Sequence, residues 1–409
     1  MRNALGALKG KISLFARLPS RFTIFLGGLT VSHLGDALYT LAIPWIAYEL
    51  TRSVLVMSSL YATEVLPIVL FGPFIGVYLD RLDRRKLMMA ADMMRAGLVA
   101  LIPILHMAGI LRVWHLYAVS FLLALLTMVF DVATMATIPE MVGDNLTRAN
   151  AAHRSATHLA SMMGPALAGV LIAAIGGYQT LWFDVLSFGA TFLTLLRMPV
   201  FQRHNDLSDR GHVLKDMLDG FRWLVKSPLN RTLSLQAAIG NFGYSAAAAV
   251  LMYDLRDSLR LNADRSGVIY ALLGLGALIG SVAVVPLDKR CQKRNLIPSL
   301  LAFGVTGFLL AAFSRFWLAP GLGFAMVAAC NVAWSVISAS VRQKTVPPHM
   351  LGRVLSFSRV LTRVAMPIGA LLGGLLTHTF DPAAVFLLAA GTKAVEVLIA
   401  LYSPIRELT

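Results

Sequence analysis

Apolar stretches of about 20 residues recur from one end of this 409-residue chain to the other. Each is long enough to cross ~30 Å of hydrocarbon as a helix. Lipid offers no partner for backbone N–H and C=O groups, so a spanning segment must satisfy them internally, as a helix or a closed barrel. The short alternating segments of a barrel are missing. Hydrophobic residues make up 57% of the chain and charged ones 14%, with mean hydropathy +0.71, whereas a soluble domain carries about a quarter charged residues. The expected fold class is therefore an all-α membrane protein.

Spans are expected near 22–48, 55–79, 88–110, 113–137, 155–176, 179–200, 229–253, 265–286, 296–314, 317–341, 355–378 and 383–403. The net charge of +15 would suit a nucleic-acid ligand, but the placement of the cations argues otherwise. Of 36 Lys and Arg, 26 fall on the side holding both termini, six on the other side and four inside helices. By the positive-inside rule both termini are expected in the cytoplasm, with the chain integral to the inner membrane. Membrane lipids are its expected surroundings, and no nucleic acid is expected as a partner. The first apolar run is too long for a signal-peptide core and is expected to be retained. Residues 1–21, with Lys9, Lys11, Arg17 and Arg21 among apolar residues, suit a short helix on the inner membrane face. Cys291 and Cys330 offer no disulfide framework.

One soluble connection, 201–228, is long and divides the spans six and six. From Val213 to Val225 its apolar residues have helical spacing, which suits a helix along the membrane surface. The expected organisation is a cytoplasmic segment 1–21, a six-helix bundle 22–200, the linker 201–228, a second bundle 229–403 and a tail 404–409. Inner loops of the two halves match at one offset. Asp80 corresponds to Asp288, and Pro139 to Pro347, each pair 208 residues apart. Two six-helix repeats in parallel are an architecture in which a site forms between the halves and access alternates by rocking them.

The loop Gly76-Val77-Tyr78-Leu79-Asp80-Arg81-Leu82-Asp83-Arg84-Arg85 resembles the signature of the major facilitator superfamily, with Asp83 in place of its second glycine. Ile138-Pro139-Glu140-Met141-Val142 with Arg148-Ala149-Asn150-Ala151, Gly164-Pro165-Ala166-Leu167-Ala168-Gly169, and Gln343-Lys344-Thr345-Val346-Pro347 with Gly352-Arg353-Val354 resemble its enterobactin-exporter and macrolide-efflux branch. The resemblance implies two pseudo-symmetric six-helix bundles. It also implies that Asp80 docks on the eleventh helix near Ser356 and, with Gly76, Arg81, Arg84 and Arg85, latches the inner gate. Gly164-Pro165 resembles the exporters' antiporter signature, with Ala160 where the fuller pattern has glycine; a proline there kinks the helix. Gly72 with Gly76, and Gly276 with Gly280, form small-residue faces suited to close helix packing.

Ionisable residues inside spans are the strongest functional signal, because a charge at mid-bilayer costs at least ~2.5 kcal/mol on insertion scales. Asp36 sits near the middle of the first span, and Ser32, Asp36, Tyr39 and Thr40 form a polar stripe expected to line a wet cavity. Glu64 is near the middle of the second span; Asp131 and Asp184 lie nearer the ends of the fourth and sixth. Asp92 with Arg95, and Lys393 with Glu396, have the spacing of structural pairs. A carboxylate taken out of water favours its protonated form. Asp36, Glu64 and Asp131 are therefore expected to couple protons or substrate. Gln236, Asn241, Tyr244, Asn331, Trp334 and Ser335 are expected on the cavity face of the second half.

No phosphate-binding glycine-lysine loop is present. His33, His106, His115 and His158 lack metal-ligand spacing. No metal or cofactor is expected, and an enzyme would need a compact catalytic cluster that the sequence does not show. The expectation is a monomeric proton antiporter exporting a small hydrophobic or amphipathic molecule of the drug, macrolide or siderophore class. The alternative is an uptake symporter or lipid-type carrier of the same fold.

Overall fold

The computed structural model describes residues 18–79, 83–198, 213–314 and 316–407. Among these it holds no strand and twelve helices of 20 residues or more. The first six are α1 (Ser20–Thr51), α2 (Val54–Leu79), α3 (Arg84–Met107), α4 (Val113–Val142), α5 (Leu146–Ile175) and α6 (Gly177–Leu196). A linker helix, α7 (Val213–Lys226), follows. The second six are α8 (Pro228–Tyr253), α9 (Ala263–Arg290), α10 (Lys293–Phe313), α11 (Ala319–Thr345), α12 (Pro348–Thr379) and α13 (Pro382–Tyr402). Eleven of the twelve contain a stretch apolar enough to cross a membrane; α1, which carries the polar stripe, is the twelfth.

Local chemistry explains two helix starts that composition placed poorly. Asp83 caps α3, its carboxylate accepting from the backbone N–H of Arg85 at 3.1 Å and of Lys86 at 3.3 Å. The residue that departs from the superfamily loop signature is thus the one that satisfies the orphan donors of a helix start. Pro347 and Pro348 start α12 eight residues before Ser356, because a proline in the first turn has no N–H to lose. The expected docking point for Asp80 therefore lies well inside α12. Asp80 and Arg81 themselves lie outside the described residues, as do residues 1–17.

The two bundles use the same internal pairings. In the first, α1 packs on α5 and α6, α3 on α4 and α6, and α2 on α4; in the second, α8 packs on α12 and α13, α10 on α11 and α13, and α9 on α11. The repeat extends to single side chains. A Cβ on Gly35 would meet Asp184 and Ser187, and one on Gly243 would meet Thr392. Gly35 and Gly243, like Asp184 and Thr392, are 208 residues apart, the offset seen in the loops. The bundles meet through α2 on α12, α5 on α9 and α2 on α8. The linker helix α7 docks on protein: Leu224 is buried with Val346 and Val354, and the Phe221 ring lies 5.0 Å from that of Phe357 of α12 at a 49° tilt.

The surroundings of Gly76 lie outside the described residues, but the described glycines of the two expected small-residue faces differ. On α9 a Cβ at Gly280 would run into the Ala329 carbonyl oxygen and stand 2.6 Å from its Cα, and Gly276 meets Ala325 in the same way. On α2 Gly72 has only the Met128 sulfur at 3.8 Å and Ile68 at 3.9 Å, so it permits no backbone approach. Gly280→Val is therefore expected to destabilise by about 1–3 kcal/mol, the range of overpacked cores. Gly72→Ala is expected to stay within about 0.5 kcal/mol of the parent. Thermal unfolding of both variants in detergent checks this; equal shifts would contradict the packing.

Candidate functional site

A cavity of about 240 Å³ lies between the bundles, walled by α1, α2, α8 and α9. Thr40 and Pro44 come from α1, Tyr61 and Glu64 from α2, Tyr244 from α8 and Tyr270 from α9, with Met57 and Met252 among the apolar lining. Of the anticipated residues, Thr40, Glu64 and Tyr244 meet here. The aromatic wall was not anticipated beyond Tyr244; Tyr61 and Tyr270 read as ordinary span residues until the two halves are apposed. Among the described residues Glu64 makes no hydrogen bond and no ion pair. It is a carboxyl group presented to the cavity between tyrosines.

The cavity is closed at the end away from the linker. Tyr48 of α1 donates to Asp257 Oδ1 at 3.1 Å. The guanidinium of Arg256 lies 3.7 Å from the Trp45 ring centroid and 5.2 Å from that of Tyr48. Asp257 and Arg256 reach across because α8 ends in a π-helical turn, Asp254–Ser258, which re-aims its last side chains. Gly169 of α5 and Gly267 of α9 seal the flank by backbone contact. The Gly164-Pro165 pair sits at this junction: Gly164 leaves room for Ala37 of α1, and the Pro165 carbonyl faces Gly267.

The polar stripe on α1 splits between neighbours instead of lining one cavity. Tyr39 turns to α4, its hydroxyl 3.0 Å from Ser120 Oγ in a buried contact. Ser32 is 2% exposed, so neither faces water. Asp36 is held by Arg95, with Nη2 at 2.5 Å from Oδ1, and His33 Nδ1 stands 3.7 Å from Oδ2. Arg95 also pairs with Asp92 at 3.2 Å, as its spacing predicts. Its guanidinium lies 4.3 Å from the Phe188 ring centroid and 5.3 Å from that of Phe130. Asp184, fully buried on α6, is within electrostatic reach of Asp36 and Arg95. Asp131 is within reach of Asp36, His33 and Arg95 from an exposed position on α4. The Asp92–Arg95 pair is thus part of a larger cluster, four carboxylates around one guanidinium inside the first bundle. The spacing on one helix is legible in the sequence; the convergence of four helices is not.

In the second half most anticipated cavity residues are spent on internal bonds. Gln236 is fully buried; it donates to the Glu396 carbonyl oxygen at 2.8 Å and accepts from Trp334 at 3.0 Å. Asn331 accepts from Lys393 at 2.8 Å, and Lys393 stands 2.9 Å from Glu396. Asn241 donates to the Thr362 carbonyl oxygen at 3.1 Å, tying α8 to α12. Ser335 is exposed on α11 and bonds back to Val332 O at 2.8 Å. None of these residues lines the cavity, and all but Ser335 brace the bundle.

At the linker end the described part of the loop signature is bonded within the first half. Arg84 pairs with Glu140 and donates to the Ala136 carbonyl oxygen at 3.0 Å. Arg85 donates to the Leu196 carbonyl oxygen at 2.7 Å. The equivalent loop of the second half pairs Asp288 with Lys293 at 3.5 Å. Among the described residues no group of His, Cys, Asp and Glu is arranged to hold a metal ion.

Residues 16–409 match the family described as transmembrane secretion effector. The chain is 26% identical over 393 residues to the multidrug efflux pump Tap of Mycolicibacterium fortuitum, covering 91% of this chain and 93% of that protein. It is 26% identical over 365 residues to macrolide efflux protein A of Streptococcus pyogenes, covering 87% and 89% respectively. Among solved structures it resembles an inward-facing bacterial homologue of the iron transporter ferroportin, with TM-score 0.71, 18% identity and coverage of 93% and 98%. It also resembles the nucleoside transporter NupG, with TM-score 0.72, 11% identity and coverage of 94% and 98%. At these identities the structures establish the fold alone, which is that of the major facilitators.

Proposed function

Because the chain belongs to the transmembrane secretion effector family, a family of integral membrane transporters within the major facilitator superfamily, we propose that it exports a small hydrophobic or amphipathic organic molecule by proton antiport. The observation that carries this reading is the cavity between the bundles, sealed at one end and holding an unpaired Glu64 among tyrosines. The excess of basic residues on the linker side favours a cytoplasmic position for both termini of an inner-membrane protein. The Tyr48–Asp257 contact is then the outer gate, and cargo enters from the inner side. The names of the efflux relatives favour the drug and macrolide class over siderophores.

In this mechanism the aromatic and methionine wall binds the apolar part of the cargo, and Glu64 exchanges a proton for it. Cargo arriving from the cytoplasm displaces the proton. Rocking of the halves breaks the outer gate, and a proton entering from outside displaces the cargo. The Asp36–Arg95 cluster supplies a second store: four carboxylates against one guanidinium leave an excess of negative charge for protons to offset. Asp131, the exposed member of the cluster, is the group through which that store exchanges protons. One chain contains both halves of the site, so a monomer suffices.

Everted vesicles test the direction and the coupling together. With the interior made acid, the transporter is expected to accumulate a macrolide or an aromatic dye, and a protonophore is expected to abolish the accumulation. Accumulation only when the gradient is reversed would replace export with uptake of the same cargo class.

A further inference from the structure

The ends of α1 and α8, which meet at the outer gate, carry the same short motif. Trp45, Tyr48, Glu49 and Arg52 stand 208 residues before Tyr253, Arg256, Asp257 and Arg260. Each set opens on an aromatic residue, has an acid four residues later and closes on an arginine three residues beyond it. The closing arginines also share a backbone conformation. Arg52 has φ 48° and Arg260 φ 52°, and among the described residues they are the two non-glycine residues with positive φ. A Cβ disfavours that left-handed region, and glycine is the usual residue there at a helix end. Both halves thus place a long cationic side chain where the backbone alone favours glycine.

The two copies converge on one space. A second cavity, about 390 Å³, borders the Tyr48–Asp257 contact and is lined by Tyr48 and Arg52 of the first half and by Arg256, Asp257, Arg260 and Leu261 of the second. Arg52 stands one turn past Tyr48, on the side away from Thr40 and Pro44 of the central cavity. Three guanidinium groups and one carboxylate line this space, an excess of two positive charges. The carboxylate, Asp257, already accepts from Tyr48. The other acid of the repeat, Glu49, accepts from Trp45 Nε1 at 2.6 Å. Arg52 and Arg260 are exposed, and among the described residues their side chains make no hydrogen bond or ion pair. Arg256 is held against the rings of Trp45 and Tyr48. Its Nη1 reaches the Leu261 carbonyl oxygen only at 3.4 Å, and its Nε is buried without a partner. Arginines that merely face solvent would not include a guanidinium fixed on two aromatic rings with a donor unmet. Guanidinium groups gathered in this way offer forked donors to an oxyanion.

We propose that Arg52, Arg256 and Arg260 form an oxyanion site that holds a divalent tetrahedral anion, sulfate or a phosphate group, between the two halves at the outer gate. Arg52 belongs to the first bundle and the other two to the second, so the anion has all three partners only while the gate is shut. A ligand that prefers one state shifts the protein toward it. An oxyanion on the outer side is therefore a brake on the cycle. It is not cargo and leaves the cargo class unchanged. The binding follows from the geometry of the cavity; the brake rests on the export reading.

Sulfate is the probe, titrated calorimetrically against the full chain in phosphatidylcholine nanodiscs with ionic strength held constant by chloride. The wild type is expected to bind it at least tenfold more tightly than Arg52→Gln/Arg260→Gln, with each single variant in between. Arg265, at the same end of α9, faces the Trp317 ring instead of this cavity, so Arg265→Gln is expected to bind sulfate like the wild type. Arg52→Gly/Arg260→Gly is expected to lose sulfate binding yet unfold at a higher temperature in chloride alone, which would not happen if the arginines only braced the fold. Equal affinity in the wild type and the double glutamine variant, or an equal loss in Arg265→Gln, overturns the proposal, because the anion then senses surface charge alone. Phosphatidylglycerol in the disc separates the sources: competition with sulfate assigns the cavity to a lipid phosphate, and no competition assigns it to an oxyanion from solution. In everted vesicles the outer face is luminal. Luminal sulfate is expected to slow accumulation at least threefold relative to chloride of equal ionic strength, external sulfate to have no effect, and the double glutamine variant to ignore both. Arginine-dependent binding with undiminished accumulation overturns the brake and keeps the site. No accumulation in any buffer removes the export reading and leaves the site to the titration.

Discussion

Glu64→Gln is expected to lower gradient-driven accumulation in everted vesicles at least tenfold while leaving the folded protein intact. Both halves of that expectation follow from the side chain's surroundings. Glu64 faces the cavity and among the described residues has no bonded partner, so the amide strands no donor and breaks no pair. The amide occupies nearly the same volume and still offers an oxygen to cargo, yet it cannot carry a proton. Counterflow, which needs binding and rocking but no net proton movement, is therefore expected to survive in the variant. Tyr61→Phe and Tyr270→Phe keep the aromatic wall and are expected to change affinity by a few fold only. Undiminished accumulation by Glu64→Gln would take the coupling role from Glu64 and leave the Asp36 cluster as its only holder. Loss of both accumulation and counterflow would mark Glu64 as a cargo contact.

The scaffold is legible in the sequence because a membrane imposes a length and a composition on every spanning element. Most helix ends are legible to within a few residues, but α3, α5 and α12 start four, nine and seven residues before the expected spans; an aspartate cap accounts for α3 and an early proline for α12. The repeat is legible in two loops, and the structure extends its offset to Gly35 and Gly243. Side-chain destinations are much less legible. Tyr39 and Thr40 are adjacent in sequence, yet a 100° step turns one to Ser120 and the other to the cavity. Gln236, Asn331 and Trp334 have the polarity of cavity residues, but they bond within the bundle: Asn331 accepts from the buried Lys393, Gln236 donates to the backbone carbonyl oxygen of Glu396, and Trp334 donates to Gln236. A buried charge pair needs its remaining donors and acceptors satisfied, and a single sequence does not say which helix will do it. Asp36 stands out in the sequence by its depth in a span; the arginine that holds it is 59 residues away on another helix.

Arg95→Gln is expected to be the most damaging single substitution in the first bundle. The guanidinium is 1% exposed and stands between Asp36 and Asp92, with Asp184 close by and Phe188 and Phe130 beside it. Its removal leaves buried carboxylates without a counter-charge, a situation that costs about 3–5 kcal/mol when one partner of a buried pair is deleted. The expected outcome is a marked fall in detergent-stable protein and in unfolding temperature, where Arg95→Lys loses less. Asp36→Asn is milder, because Arg95 keeps Asp92 as a partner and the introduced amide still offers it an oxygen. A double-mutant cycle on Asp36 and Arg95 isolates their pairing: groups in direct contact are expected to show a coupling of about 0.5–3 kcal/mol, whereas independent sites add. If Arg95→Gln and Asp36→Asn were additive and the first were well folded, the cluster would not hold the bundle together. The second proton store proposed for it would then lose its physical basis, because carboxylates that tolerate the loss of their guanidinium are already neutral or reached by water.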